Sequence, residues 1–223
     1  MRLFLVRHGQ TTSNIGHHLD TAIPGADLSD RGRRQAEAIP AALADESIDL
    51  IVVSDLVRTQ QTAAPLARSR GMEPWIRGGI REISAGDLEM RNDHDAIEEY
   101  IEGVFDWDTD PDVRVANGET GREVMARFDE VVEEVAREVG DGTALLVSHG
   151  AVIRVWAALR CENIDLAYAA DHWVPNTAML TLVGDPDTGW RMEAWLEEPL
   201  GGHDLDSEGG PTGEPEDEAT DED

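Results

Sequence analysis

The sequence predicts an α/β layer fold built on a largely parallel sheet. Three apolar runs, Leu3-Phe4-Leu5-Val6, Leu50-Ile51-Val52-Val53 and Ala144-Leu145-Leu146-Val147, have the length of buried strands and alternate with segments of helical spacing. Each run closes on polar or charged residues: Arg7-His8-Gly9, Ser54-Asp55 followed by Arg58, and Ser148-His149-Gly150. Ligands of open α/β sheets sit outside the carboxyl ends of the strands, so these closing residues mark where chemistry is expected.

The elements follow in order. After the first strand, a helix is expected from the capping residues Leu28-Ser29-Asp30 to about Ala44, with Ala36, Ile39 and Leu43 on one face and a bend at Pro40. After Arg58, the series Thr59, Thr62, Ala63, Leu66, Ala67 has helical spacing, and Gly71 ends it. The clearest helix covers about Glu119–Val139, where Val124, Phe128, Val131, Val132, Val135 and Val139 form one stripe. Gly150–Leu159 reads as a short helix. Thr177–Val183 and Trp190–Leu196 read as late strands that finish the sheet, joined by the turn Gly184-Asp185-Pro186-Asp187. The segment 86–118 is irregular and acidic, with Tyr100, Phe105 and Trp107 scattered through it. It is expected to be either a lid over the site or a peripheral helical excursion packed by its aromatic residues.

Composition narrows the partners. The chain has 223 residues, a formal net charge of −29 and arginine as its only permanently basic side chain. Such an acidic protein repels a nucleic-acid backbone and an anionic membrane surface, so neither is an expected partner. Residues 199–223 hold ten acids and no arginine, and are expected to form a disordered tail beyond a domain spanning 1–198. A single cysteine, Cys161, rules out an internal disulfide and favours a reducing, cytoplasmic setting, with Cys161 filling a helix face. The few apolar residues before Arg7 are too short for a signal peptide or a membrane span.

Arg7-His8-Gly9-Gln10-Thr11-Thr12-Ser13-Asn14 resembles the RHGxTxxN segment of the histidine phosphatase superfamily, the phosphoglycerate-mutase-like proteins. Asp55-Leu56-Val57-Arg58-Thr59-Gln60-Gln61-Thr62-Ala63 resembles its second block, and Ser148-His149-Gly150 its last. The likeness in order and spacing runs over roughly residues 2–196. It implies a three-layer α/β/α sandwich with a mostly parallel central sheet and a helical lid insertion. It also implies phosphoryl transfer through a phosphohistidine on His8. Arg81-Glu82-Ile83-Ser84-Ala85-Gly86-Asp87-Leu88-Glu89 resembles the family's ExxxGxWE segment, which makes Glu82 the expected general acid and base. Leu88 stands where tryptophan is usual and Met90 where glycine often follows, which separates the local pocket wall from the family pattern.

Physical chemistry points the same way. A phosphoryl group in flight spreads negative charge over its oxygens, and the planar fork of Arg7 and Arg58 suits that charge. His149 is expected as a protonated donor, Asn14 as a neutral one, and Gly150 as the start of a helix whose amides attract anions. With no carboxylate cluster among these residues, neither a metal nor a cofactor is expected. His17-His18 is read as a loop, because adjacent histidines cannot readily face one ion. His94 and His203 are read as exposed, and the six tryptophans as packing. His172, near Pro175-Asn176, is left between a substrate contact and a peripheral position. The expected function is metal-independent hydrolysis of a small phosphorylated metabolite. A cofactor-dependent phosphomutase and a non-catalytic phospho-ligand module are the alternatives. Against the mutase, Glu82-Ile83-Ser84-Ala85-Gly86 departs from the ERxYG-like segment of phosphoglycerate mutases, and the chain has no lysine. Substrate and oligomeric state stay open.

Overall fold

The structure, a computed structural model, describes residues 1–207. Strands β1 (Arg2–Arg7), β2 (Leu50–Val53), β3 (Trp75–Ile76), β4 (Thr143–Ser148), β5 (Met179–Asp185) and β6 (Gly189–Trp195) form one sheet in the order β3-β2-β4-β1-β5-β6. Pairings among β3, β2, β4 and β1 are parallel, whereas β5 and β6 add antiparallel at one edge.

Helices α1 (Thr12–Ile15), α2 (Asp30–Ala42), α3 (Val57–Arg70), α4 (His94–Phe105), α5 (Gly121–Val139), α6 (Gly150–Arg160) and α7 (Leu166–Asp171) complete the fold. The central strands are apolar between their end residues because both faces are covered. Phe4, Val6, Ile51 and Val53 pack with Ile39 and Leu43 of α2 and Ala63 and Leu66 of α3. Leu3, Leu5, Leu50 and Val52 point the other way, into a cluster with Phe128 and Val132 of α5 and Val152 and Trp156 of α6. Alternation along each strand therefore assigns one residue to each layer. The α5 start is fixed by a capping box: Glu123 N–H donates to the Thr120 hydroxyl (3.2 Å), and Thr120 N–H donates to the Glu123 carboxylate (3.0 Å).

Segment 86–118 packs onto the body of the fold. Ala96, Tyr100 and Val104 of α4 are buried, the Tyr100 hydroxyl donates to the Ile83 carbonyl (2.8 Å), and Trp107 lies in the main core. Its first residues also meet the loop that follows α1, since Met90 N–H donates to Leu19 O and Leu19 N–H to Arg91 O (both 2.9 Å).

Two boundaries differ from expectation. Pro40 falls in the last turn of α2, which ends at Ala42. Residues 199–207, expected to begin a disordered tail, are docked: Leu200 is buried, Gln35 donates to Leu205 O (2.9 Å), and the Ser207 hydroxyl donates to Asn176 (3.0 Å). One buried leucine and a few hydrogen bonds hold these residues despite their acidic surroundings. The rest of the expected tail, 208–223, lies outside the described residues. Cys161 caps α6 in a buried position, and burial pushes its thiol up to about 12. Among the described residues no helix is long and apolar enough to cross a membrane.

Candidate active site

Strand register assembles the site. Arg7 pairs with Ser148 across β1 and β4, and His8 N–H continues the ladder to Ser148 O (3.0 Å). Val53 pairs with Val147, and Ser54 N–H reaches Val147 O (3.2 Å). His8, Ser54 and His149 thus stand side by side at the carboxyl ends of three neighbouring strands. The two imidazole centroids are 5.2 Å apart. Close approach of the backbone keeps this edge rigid: a Cβ on Gly32 would lie 2.0 Å from Gln10 O, and one on Gly9 2.8 Å from Gly32 O.

Hydrogen bonds define the state of His8. Its Nδ1 lies 2.8 Å from the Gly9 carbonyl, an acceptor only, so Nδ1 carries the hydrogen and Nε2 keeps the lone pair. Burial, then the charges of Arg58 and Arg7, hold the imidazole well below its ordinary range, which keeps it neutral. The ring is held through its backbone as well, because Asn176 donates to His8 O (3.0 Å) and Gly9 N–H donates to the Thr62 hydroxyl (2.9 Å).

Around it stand further hydrogen-bond donors. Arg58, near the start of α3, donates through Nη2 to Asp20 O (2.8 Å) and lies 3.7 Å from the Asp20 carboxylate, while its buried Nε and Nη1 have no hydrogen-bond partner. Arg7, closing β1, donates to Val174 O (2.8 Å). Asn14 gives its side-chain oxygen to Thr11 in the capping box of α1, so its amide nitrogen is the group left for a ligand. Buried guanidinium donors are costly without an anion to receive them, so the arrangement is that of an anion pocket.

His149 departs from the expected cation. Leu56 N–H donates to the Ser54 hydroxyl (3.1 Å), which lies 2.8 Å from His149 Nε2, and the buried Nδ1 has no hydrogen-bond partner. Burial first, then Arg58 and His8, lower its pKa well below the ordinary range. With the Ser54 hydroxyl donating to Nε2, a neutral ring keeps its hydrogen on Nδ1 and is still a donor.

Gly150 also differs from expectation. The first-turn amides of α6 are taken by a carboxylate of the chain itself: Ala151 N–H donates to Glu82 Oε2 (3.1 Å) and Val152 N–H to Glu82 Oε1 (2.9 Å). Glu82 Oε1 also accepts from Ile83 N–H (3.0 Å). A buried carboxylate satisfies the orphan donors of a helix start as well as an outside anion would. Glu82 nevertheless lines the same small pocket as His8, Asn14 and Arg58.

Among the remaining histidines, His18 lines that pocket although it was expected to be an ordinary loop residue. His172 stacks on Tyr168 (centroids 3.8 Å apart) and is absent from the pocket wall. Sequence reasoning assigned no role to Ser54, Thr62, Asp20 or Asn176. Thr62 lies inside the second block and Ser54 directly before it, at the end of β2, so that neighbourhood was the available signal.

A doubly covered parallel sheet with paired histidines and arginines at its carboxyl edge defines an α/β protein of the anion-handling kind. The chain belongs to the histidine phosphatase superfamily (branch 1), which it matches over residues 3–198. It is 31% identical over 217 residues to the glucosyl-3-phosphoglycerate phosphatase of Mycolicibacterium vanbaalenii, covering 87% of this chain and 93% of that protein. It is 31% identical over 159 residues to the adenosylcobalamin/alpha-ribazole phosphatase of Escherichia coli, covering 71% of this chain and 78% of the relative. A PE-PGRS family protein of Mycobacterium tuberculosis is 34% identical over 88% of this chain, which spans only 36% of that protein's length. Among solved structures, mycobacterial glucosyl-3-phosphoglycerate phosphatase in complex with VO3 superposes with a TM-score of 0.74 at 29% identity, over 87% of this chain and 98% of that one.

Proposed function

We propose that the protein is a phosphatase that hydrolyses a small phosphomonoester through a phosphohistidine on His8, without a metal. One observation carries this reading: a neutral His8 with its Nε2 lone pair unengaged shares a buried pocket with the unused donors of Arg58. Nε2 attacks phosphorus in line, and the bond from phosphorus to the ester oxygen breaks. The equatorial oxygens are held by Arg7, Arg58, Asn14 and the His149 Nδ1–H, and these donors supply the charge stabilisation. Glu82 gives the leaving oxygen its proton. Its Oε1 already accepts two amides and Oε2 only one, which leaves Oε2 to carry that proton. Water then attacks the phosphohistidine, Glu82 Oε2 takes the water's proton, and phosphate leaves.

The relatives include phosphatases for several leaving groups, which supports monoester hydrolysis and does not choose among substrates. Purified protein is expected to release phosphate from p-nitrophenyl phosphate in the presence of EDTA, with vanadate inhibiting and His8→Ala silent. Full activity in His8→Ala overturns the nucleophile. Glu82→Gln is expected to slow alkyl phosphates far more than aryl phosphates, whose leaving groups need little protonation; equal losses overturn the acid. A phosphomutase would interconvert 2- and 3-phosphoglycerate without releasing phosphate, which the same assay detects.

A further inference from the structure

The phosphate pocket shares Thr21 and Glu82 with a cavity of about 520 Å³, the space open to a leaving group. Two arginines line it, and each is already paired with a carboxylate of the chain. Arg127 spends all five of its N–H donors: Nε and one Nη2 hydrogen go to Glu119 (2.7 and 3.0 Å), and the others go to the carbonyls of Gly79, Arg81 and Glu82 (2.7, 2.7 and 3.1 Å). Arg81 is clamped through two nitrogens on the Asp55 carboxylate, which it keeps ionised. The acids outnumber them. Glu82, Glu89 and Glu119 all line the cavity, Glu89 being fixed by the amides of Thr21 and Ala22 (2.9 and 3.0 Å).

Resting on the phosphatase reading above, we infer that this cavity selects phosphomonoesters whose leaving group is an uncharged, hydroxyl-bearing polyol and rejects those that carry a carboxylate. Carboxylate oxygens accept hydrogen bonds and donate none, so the wall built by Glu89 and Glu119 receives hydroxyl hydrogens, and Ser84 lines the same cavity. A leaving-group carboxylate would meet three carboxylates, while both lining guanidiniums are already paired with acids of the chain. Juxtaposed like charges discriminate strongly against a partner.

A matched pair of esters tests this, because glycerol 1-phosphate and 3-phosphoglycerate differ only in a hydroxymethyl against a carboxylate. With the whole chain, kcat/KM is expected to favour glycerol 1-phosphate by at least about ten-fold at low salt, and the gap to narrow as salt screens the wall. Glu119→Gln is expected to shrink the ratio, since it uncovers the charge of Arg127 while three backbone carbonyls still hold that side chain in place. Equal or better turnover of 3-phosphoglycerate by the unaltered protein, with p-nitrophenyl phosphate hydrolysed normally, overturns the selectivity and leaves the phosphatase reading standing. A ratio that neither salt nor Glu119→Gln changes also overturns it, and turnover of no ester at all overturns both.

Discussion

Ser54 shows how much a single hydroxyl can decide. It receives the Leu56 amide and lies 2.8 Å from His149 Nε2, so it holds the imidazole in place and shares a hydrogen with it. Ser54→Ala is expected to lower kcat by about ten-fold or more, on the scale of losing an oriented donor, and to move the acid limb of the pH profile, while Ser54→Thr restores both. Steady-state kinetics across pH check this, and an unmoved profile would reduce Ser54 to packing. His8, Arg7, Arg58 and His149 were legible in the sequence because each closes or follows an apolar run, and the structure brings them together. The protonation of His149 was not legible, since it depends on burial and on Arg58, a residue distant in the chain. Nor was the occupation of the α6 amides by Glu82, which depends on the path of an irregular loop that periodicity does not report.

At the scale of elements, the long helix α5 and every strand except the two-residue β3 followed the sequence pattern, whereas the excursion around α4 did not. Its buried residues serve two partners at once. Tyr100 reaches Ile83 next to the proposed acid, and Trp107 lies against the first turn of α5, where a Cβ on Gly121 would come within 2.7 Å of the indole ring. A rigid ring cannot yield as a flexible chain would. Gly121→Ala is therefore expected to destabilise the protein by about 1–3 kcal/mol through overpacking, against the small gain that alanine gives in a helix. Urea unfolding checks the sign, and a stabilised variant would show that Trp107 moves freely. Lid and packed excursion could not be told apart from sequence because scattered aromatics fit both; in the structure Tyr100 and Trp107 are buried.

The whole molecule carries a buried cationic site inside a strongly acidic body, and pH acts on the two in opposite directions. His8 and His149 bind protons near 6.5 when unfolded and well below that when folded. Between those limits the unfolded state holds more protons, so their contribution to stability is complete above about 6.5 and is lost as pH falls. Protonation of surface carboxylates relieves self-repulsion over a lower range. The difference in Tm between the protein and His8→Ala isolates the first effect: it is expected to shift in favour of the variant as pH drops from 7 to 5. A pH-independent difference would show that His8 is not held neutral. The strand order has its own consequence for synthesis. β1 and β2 never touch and meet only through β4, so the sheet has a gap at its centre until residues 143–148 have left the ribosome. A nascent chain therefore exposes unpaired edges of both early strands, and it cannot place His8 beside His149 until about two-thirds of its length has been made.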